Sequence, residues 1–283
     1  MTQRTFYSPK KITKTVAHQQ TTHLGIGAHS DDLEFMAIHG ISECYECPNH
    51  WFSGIICTDG RGSIRPKNQK NLTEEEWIAL RSEEQIKASK IGDYSYVHLL
   101  GFQSQEIATA ESFDNLVDTL KEALIKTKPT YIYTHSPADR HKTHRLVSLA
   151  VIQAIRAVHQ DLPLVSFWGC EVWGSLEWLS NDDRQILDHS KHLDLAHRLN
   201  QCFSSQILGG KNYAEAITGR RIANATLLKP RKKDDFKEVT YAIDLMPLIQ
   251  NPEQSIQLFL QEKIDRFKET IIHTLKKDLK EML

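Results

Sequence analysis

The sequence predicts an α/β fold in which a mostly parallel sheet is flanked by helices. From about residue 23 onward, short apolar runs rich in β-branched residues alternate with longer segments of helical periodicity. That alternation is typical of a parallel sheet covered by helices. The length of 283 residues and the apolar content of 40% are ample for a buried core. We expect one α/β domain over residues 23–250, preceded by an N-terminal extension over residues 1–22.

Six strands and four helices follow from the local patterns. The predicted strands read HLGIGA, WFSGIICT, YSYVHLL, PTYIYT, LVSFWGCEVW and KEVTYAIDL. Thr73 followed by Glu76 forms a capping-box pattern that opens a helix ending near Gly92. Further helices are expected over residues 111–126, 143–159 and 183–201.

The segment 251–283 is predicted to form a C-terminal amphipathic helix. Its apolar residues recur at steps of three and four, so they share one face of a helix and form an apolar stripe. They are Leu260, Ile264, Phe267, Ile271, Leu275, Leu279 and Met282. Such a stripe packs on the core of its own domain or lies at a subunit interface, so a homo-oligomer stays open.

Composition excludes several classes of partner. The formal net charge is −1, which provides no bulk attraction to nucleic acid or to an anionic membrane. Neither a signal peptide nor an apolar run of membrane-spanning length is present, so we expect a cytoplasmic protein. Five cysteines, an odd number, do not suggest a disulfide framework. The single CxxC pair, Cys44 and Cys47, lacks the second pair of a zinc ribbon, and we expect ordinary thiols there.

Two polar turns follow predicted strands and carry the chemistry. GIGAHSDDLEF places His29, Asp31 and Asp32 directly after the first strand, and YIYTHSPADRHKTHR places His141 and His144 after another. The second stretch also contributes His135 and Asp139. Open α/β proteins build their sites at the carboxyl ends of parallel strands, where neighbouring turns face each other across a switch point. The sequence therefore predicts that these side chains meet.

Histidine and aspartate gathered in this way favour a metal site. Catalytic zinc typically takes three ligands from His, Asp or Glu and leaves the fourth position to water. Zinc lowers the pKa of that water to about 7 and polarises the carbonyl that the water attacks. A second carboxylate can take the proton, and a nearby histidine can stabilise the oxyanion. The alternative interpretation of either turn alone is a helix cap with surface histidines.

The two turns resemble those of the PIG-L/LmbE-like family of zinc-dependent N-acetylglucosaminyl deacetylases. The family's Ala-His-Pro-Asp-Asp signature is matched by AHSDD from Ala28, and its His-x-x-His turn by His141 to His144. The resemblance implies a Rossmann-like fold and hydrolysis of an N-acetylated sugar or sugar conjugate by zinc-bound water. It also implies roles for single residues: His29, Asp32 and His144 as zinc ligands, Asp31 as general base, His141 as the group that steadies the tetrahedral intermediate, and Arg81 as a substrate-binding residue. Fe²⁺ or Co²⁺ could replace Zn²⁺.

The sequence departs from the family pattern at two positions, which affect the turn at Ser30 and the orientation of His141. Ser30 replaces the usual proline, and Thr143 replaces a carboxylate that often orients the acid histidine. We therefore expect Asp139 or Asp31 to orient His141.

Three interpretations of function stay open on the sequence. They are a sugar deacetylase, an amidase with the same fold and metal that acts on a non-sugar amide, and a ligand-binding α/β module without catalysis. The third would need a glycine-rich phosphate loop after the first strand, where this chain has HSDD. Arg81 has its own alternative, an ion pair with Glu84 along the helix. Trp168, Trp173 and Trp178, with Glu171 among them, could form a sugar-stacking wall, or they could belong to the core or to a subunit contact.

Overall fold

A computed structural model describes residues 4–210 and 212–282 and contains one eight-stranded sheet. The strands are β1 (Thr5–Tyr7), β2 (His23–Gly27), β3 (Phe52–Thr58), β4 (Tyr96–Phe102), β5 (Tyr131–His135), β6 (Ser166–Cys170), β7 (Arg184–Asp188) and β8 (Val239–Asp244). Their order is β1-β4-β3-β2-β5-β6-β8-β7. The five central strands are parallel, whereas β1, β7 and β8 pair antiparallel at the two edges. The predicted mostly parallel, Rossmann-like sheet is confirmed.

Helices cover both faces of this sheet. They are α1 (Lys14–Gln19), α2 (Asp32–Met36), α3 (Ile38–Cys44), α4 (Glu74–Ile91), α5 (Ala110–Thr127), α6 (Lys142–Val158), α7 (Leu193–Asn200), α8 (Ser204–Ile207), α9 (Tyr213–Thr226), α10 (Met246–Gln250) and α11 (Ile256–Glu281). One core cluster joins α5 and α6 to the sheet, and a second joins α3, α4 and α7 to its other face. Burial on both faces explains the nearly continuous apolar runs of the central strands.

Helix α4 begins where the sequence predicts. The Thr73 side chain accepts from the Glu76 backbone N–H, and the Glu76 carboxylate accepts from the Thr73 N–H at 2.8 Å. This capping box satisfies two of the backbone donors that a helix N-terminus leaves unpaired.

The helix predicted over 183–201 is wrong in its first half. Residues Arg184–Asp188 form β7 and pair with β8, with Ile186 opposite Tyr241, and α7 starts only at Leu193. Five residues are too few to distinguish the helical period of 3.6 from the strand period of 2. Hydrogen bonding to β8 makes this segment a strand. The segment 1–22, for which the sequence predicts no element, contributes β1 and α1.

Helix α11 is anchored to the domain only at its beginning. Phe259 is buried in the core, and the side chains of Lys263 and Arg266 both bind the carboxylate of Asp183. From Lys268 to Met282 every residue is exposed. Within the described part of the chain, we find no helix with the length and hydrophobicity needed to cross a bilayer.

Candidate metal centre and active-site cavity

The two polar turns meet because their strands are neighbours in the sheet. Strand β2 pairs with β3 on one side and with β5 on the other, which is the switch point of the parallel order. β2 ends at Gly27 and β5 at His135, so the residues that follow each strand emerge at one edge.

Three side chains bring their donor atoms close together, with each carboxylate oxygen of Asp32 facing one imidazole nitrogen. Nδ1 of His29 lies 3.2 Å from Oδ2 of Asp32 and 3.2 Å from Nε2 of His144. Nε2 of His144 lies 3.3 Å from Oδ1 of Asp32. Zinc ligands at about 2.0–2.1 Å in a tetrahedron are separated from one another by about 3.3 Å. The cluster could therefore hold a divalent metal ion with little rearrangement.

The protonation states of these groups suit a metal. Burial lowers the pKa of His144 to about 4, so its imidazole is neutral at neutral pH and offers a lone pair. Burial opposes ionisation of Asp32, but His144 and His135 more than compensate and hold its pKa well below the ordinary value. A neutral imidazole and an ionised carboxylate are the forms in which these residues bind metal.

A fourth residue, His135, also reaches the Asp32 carboxylate. Its Nε2 lies 3.2 Å from Oδ2 of Asp32 and accepts from the Ala28 backbone N–H at 3.0 Å. With Asp32 and His144 it forms one of two groups whose single donor atoms lie close enough together to hold a metal ion, the other being His29, His141 and His144. His135 is completely buried behind the site, whereas His29 and Asp32 line the open cavity. Because a catalytic metal keeps one position open to the cavity, the geometry favours His29 over His135 as ligand.

Asp31 sits on a strained backbone that neighbouring side chains hold in place. Its φ of 97° is unusual for a residue other than glycine and costs about 1–3 kcal/mol. The Asp31 N–H donates to Oε1 of Gln85 at 3.2 Å, and Nη2 of Arg81 donates to the Ser30 carbonyl at 2.6 Å. Gln85 in turn donates to Oε1 of Glu34 at 2.8 Å. Backbone strain supported in this way is typical of functional sites.

The Asp31 carboxyl group does not cap a helix. It occupies the N-cap position of α2 but makes no cap hydrogen bond there. Burial raises its pKa to about 7, against the opposing effect of Arg81, whose Nη2 lies 3.5 Å from Oδ2 of Asp31. The repulsion from Asp32 adds to the increase. A carboxylate with a pKa near neutrality, which lines a cavity beside the cluster of His29, Asp32 and His144, is suited to act as a general base.

His141 lies next to His29 and His144, and its pKa is lowered, mainly by burial and then by the charge of His29. The His141 backbone N–H donates to Oδ1 of Asp139 at 2.7 Å, and its ring stacks near Trp173. Its Nδ1 atom is buried and has no hydrogen-bond partner in the described ranges 4–210 and 212–282. Oδ1 of Asp139 lies 3.4 Å from Nδ1 of His144. The carboxylate that we expected to orient the His141 ring is thus placed against the ring of His144, in the position from which carboxylates steady metal-bound histidines.

A cavity of about 640 Å³ opens directly over the cluster. Pockets of about 300–1,000 Å³ hold small-molecule ligands. We call the part lined by the polar groups of the two turns and by Arg81 its floor. The remaining lining, its walls, combines apolar and aromatic side chains with polar ones such as Gln105, Gln206 and Arg220. The floor contains His29, Asp31, Asp32, Arg81 and His141, and the walls contain Phe35, Ile64, Val172, Trp173, Tyr213 and Ile217.

The structure also shows where the other residues singled out by the sequence analysis lie. Arg81 is 2% exposed and lines it, while Glu84, 3.8 Å from Arg81, accepts from the Ser205 backbone N–H and hydroxyl. Both expectations for Arg81 are therefore compatible with its position. Trp173 lines the cavity, and the five cysteines are free thiols.

Sequence reasoning missed two supporting residues. Gln85 holds the backbone of Asp31, and Tyr213 forms part of the cavity wall. Gln85 is distant from the turn in sequence, and Tyr213 follows no strand. No local pattern marks either of them, because tertiary packing alone brings them to the site.

Comparisons with known proteins agree with this fold. Residues 24–155 match the family model described as PIG-L: GlcNAc-PI de-N-acetylase. No curated protein matches the sequence. Among solved structures, N,N'-diacetylchitobiose deacetylase from Pyrococcus horikoshii is 13% identical and superposes with a TM-score of 0.62, covering 88% of this chain and 93% of that one.

Two further solved structures show a similar fold. The 4-carboxy-2-hydroxymuconate hydratase of Pseudomonas putida is 16% identical, with a TM-score of 0.62 over 80% of this chain and 96% of that one. The zinc-inhibited form of a teicoplanin deacetylase is 14% identical, with a TM-score of 0.57 over 79% of this chain and 98% of that one. Identities this low relate the folds and leave the reaction to be argued from the site.

Asp31→Asn should stabilise the metal-free protein at alkaline pH. The folded-state pKa of about 7 lies above the ordinary 3.8, so the folded state holds a proton that the unfolded state releases. Stability then falls as the pH rises from about 4 to 7, and the full cost persists above 7. Because asparagine does not ionise, the variant should gain roughly 1–4 kcal/mol at pH 8 and little at pH 4.

Denaturant unfolding at both pH values, with a chelator present, measures this difference. The exposed Asp114→Asn is the matched control and should show no such pH-dependent gain. A wild-type protein as stable as Asp31→Asn at pH 8 would contradict the assigned environment of Asp31.

Proposed function

We propose that this chain, whose residues 24–155 form a PIG-L family domain, is a zinc-dependent deacetylase that hydrolyses the amide of an N-acetylated sugar or sugar conjugate. The observation that carries the proposal is the donor triangle of His29, Asp32 and His144 at the floor of a cavity, with Asp31 beside it. The two deacetylase neighbours support the same chemistry.

His29, Asp32 and His144 are the residues that would hold the metal. Two imidazoles and a carboxylate suit Zn²⁺, and Fe²⁺ or Co²⁺ could take the same ligands. When bound, the ion would act as a Lewis acid on water and on the amide carbonyl. Since one neighbour was crystallised in a zinc-inhibited form, the metal content for maximal activity should be titrated rather than assumed.

Asp31 would take the proton from the attacking water. Its carboxylate lines the cavity, is not used as a cap, and has a pKa close to the pH at which a general base works best. The contact with Arg81 keeps it oriented and favours its ionised form. In the cleavage step the C–N bond breaks, and the proton held by Asp31 can pass to the leaving amine.

His141 would stabilise the oxygen that gains negative charge as the carbonyl becomes tetrahedral. Its ring lines the cavity floor between His29 and Trp173. A preorganised donor at this point is worth about 10²–10³ in rate in acyl-transfer enzymes. Arg81, a cation that also lines the cavity floor, would contact the sugar or other group that carries the acetamide.

The cavity walls bear on the choice of substrate. A volume of about 640 Å³ has room for an acceptor larger than an acetyl group, and the exposed ring of Trp173 offers a flat face to a sugar or another ring. An N-acetylated sugar conjugate fits these walls. A non-sugar N-acetyl amide fits the floor equally well, and comparing both substrate classes separates the two.

The hydratase neighbour favours one second candidate, addition of water to a carbon–carbon double bond. Both reactions use an activated water and a base, so the floor of the cavity serves either. Only hydrolysis releases acetate and a free amine. Loss of ultraviolet absorbance from an unsaturated dicarboxylate without acetate release would therefore favour the hydratase.

Substitutions of the two adjacent aspartates should impair the enzyme in different ways. Asp31→Asn keeps the size of the side chain but removes the base, which should lower kcat about 10²–10⁴-fold and leave metal content unchanged. Asp32→Ala removes a metal ligand, so metal content and activity should fall together. Acetate release from a panel of N-acetyl sugars and elemental analysis of the same samples measure both effects.

Asp139→Asn is the comparison for these variants, because it alters a carboxylate that supports His144 and the backbone of His141 and Trp173 but does not reach the cavity floor. It should lower metal affinity about 10–100-fold, the typical cost of losing such a support. Near wild-type turnover by metal-loaded Asp31→Asn would rule out Asp31 as the base. Absence of acetate release from every substrate, with metal bound, would count against the deacetylase.

Arg81→Lys should mainly raise KM. Lysine keeps the charge near Asp31 but loses the planar fork that binds sugar hydroxyls or an acidic group, so kcat/KM should fall about 10–100-fold. Steady-state kinetics of the folded variant checks this, with Arg65→Lys as control, since Arg65 stacks on Trp77 outside the cavity. An unchanged KM would show that Arg81 acts only through its contacts with Ser30, Asp31 and Glu84.

A further inference from the structure

The final helix leaves the domain and carries an apolar face into solvent. Beyond Phe267, residues 268–281 are all exposed, and at 1.5 Å per residue they extend about 21 Å. A helix of this length is marginal in water unless its apolar face is covered. Four apolar side chains along this face, Ile264, Ile271, Leu275 and Leu279, are between 48% and 52% exposed.

We propose that this helix is a dimerisation element that pairs antiparallel with α11 of a second copy of the chain, centred near His273. The proposal does not depend on the reaction that the enzyme catalyses. It rests on the order of apolar and charged residues along the exposed face.

The apolar face is symmetrical about His273. Ile271 and Leu275 each lie two residues from it, and Phe267 and Leu279 each lie six residues away. In an antiparallel pair, residues equidistant from the centre face each other. At the centre the face therefore matches its own reversed copy, with Ile271 against Leu275, while Phe267 and Leu279 lie at the same level on opposite flanks of the contact.

Two charges interrupt this apolar face, and they also match. Lys268 and Asp278 each lie five residues from His273, so antiparallel pairing places the lysine of one copy opposite the aspartate of the other. Parallel pairing would instead place lysine opposite lysine and aspartate opposite aspartate. Like charges at such positions are destabilising. The two charges thus favour the antiparallel orientation.

The charge balance argues against a membrane surface as the partner. Residues 256–281 contain six basic and five acidic side chains. Helices that lie on anionic membranes have a polar face rich in Lys and Arg. Helix α11 has instead the mixed and ordered charges of a helix that selects a partner helix.

Sedimentation equilibrium of the full chain tests the proposal. We expect a concentration-dependent dimer, which Ile271→Asp should abolish without loss of helical circular dichroism from the domain. Lys268→Glu or Asp278→Lys alone should weaken the dimer about tenfold, because each places two like-charged pairs in the interface. The double variant Lys268→Glu with Asp278→Lys should restore the wild-type dissociation constant.

Lys277→Glu is the matched control, because it makes the same charge change on the face turned away from the apolar stripe, and it should leave the dimer unchanged. A wild-type monomer at about 100 μM would overturn the proposal, since a stable interface is saturated well below that concentration. A dimer that survives Ile271→Asp, or binding of the monomer to anionic vesicles, would overturn it as well. Failure of the double variant to restore the dimer would reject the antiparallel orientation.

Discussion

The carboxylate of Asp32 is the point on which the site depends. It lies 3.2–3.3 Å from nitrogen atoms of His29, His135 and His144, and it accepts from the His29 backbone N–H at 2.6 Å. One carboxylate thereby connects the turn after β2 to the end of β5 and the start of α6. This is possible only because β2 and β5 are neighbours at the switch point. The topology of the sheet thus brings these donor atoms together.

The two adjacent aspartates, Asp31 and Asp32, lie in different environments. Imidazoles surround Asp32 and hold its pKa low, whereas burial raises the pKa of Asp31 to about 7. The backbone at Asp31 is left-handed, and Gln85 and Arg81 stabilise the turn that contains it. Pairs of titratable groups whose pKa values are driven apart in this way are typical of an acid and a base with distinct roles.

Sequence patterns predicted the features that depend on local order. The central strands, the capping box at Thr73 and the meeting of the two polar turns follow from periodicity and from the geometry of parallel sheets. Features fixed by tertiary contacts were out of reach. Strand β7 depends on its ladder with β8, Gln85 reaches Asp31 from another helix, and Asp139 contacts His144 rather than the ring of His141. The sequence around a residue does not indicate which distant residues contact it in the folded protein.

X-ray absorption spectroscopy of the protein loaded with one equivalent of zinc tests the central claim most directly. The donor triangle predicts two imidazole nitrogens and one carboxylate oxygen at about 2.0–2.1 Å, with a further light atom completing the shell. His144→Ala should lose one imidazole from this spectrum. A sulfur scatterer at about 2.3 Å would place the metal on cysteine instead and contradict the assignment. A spectrum unchanged by His144→Ala would contradict it equally.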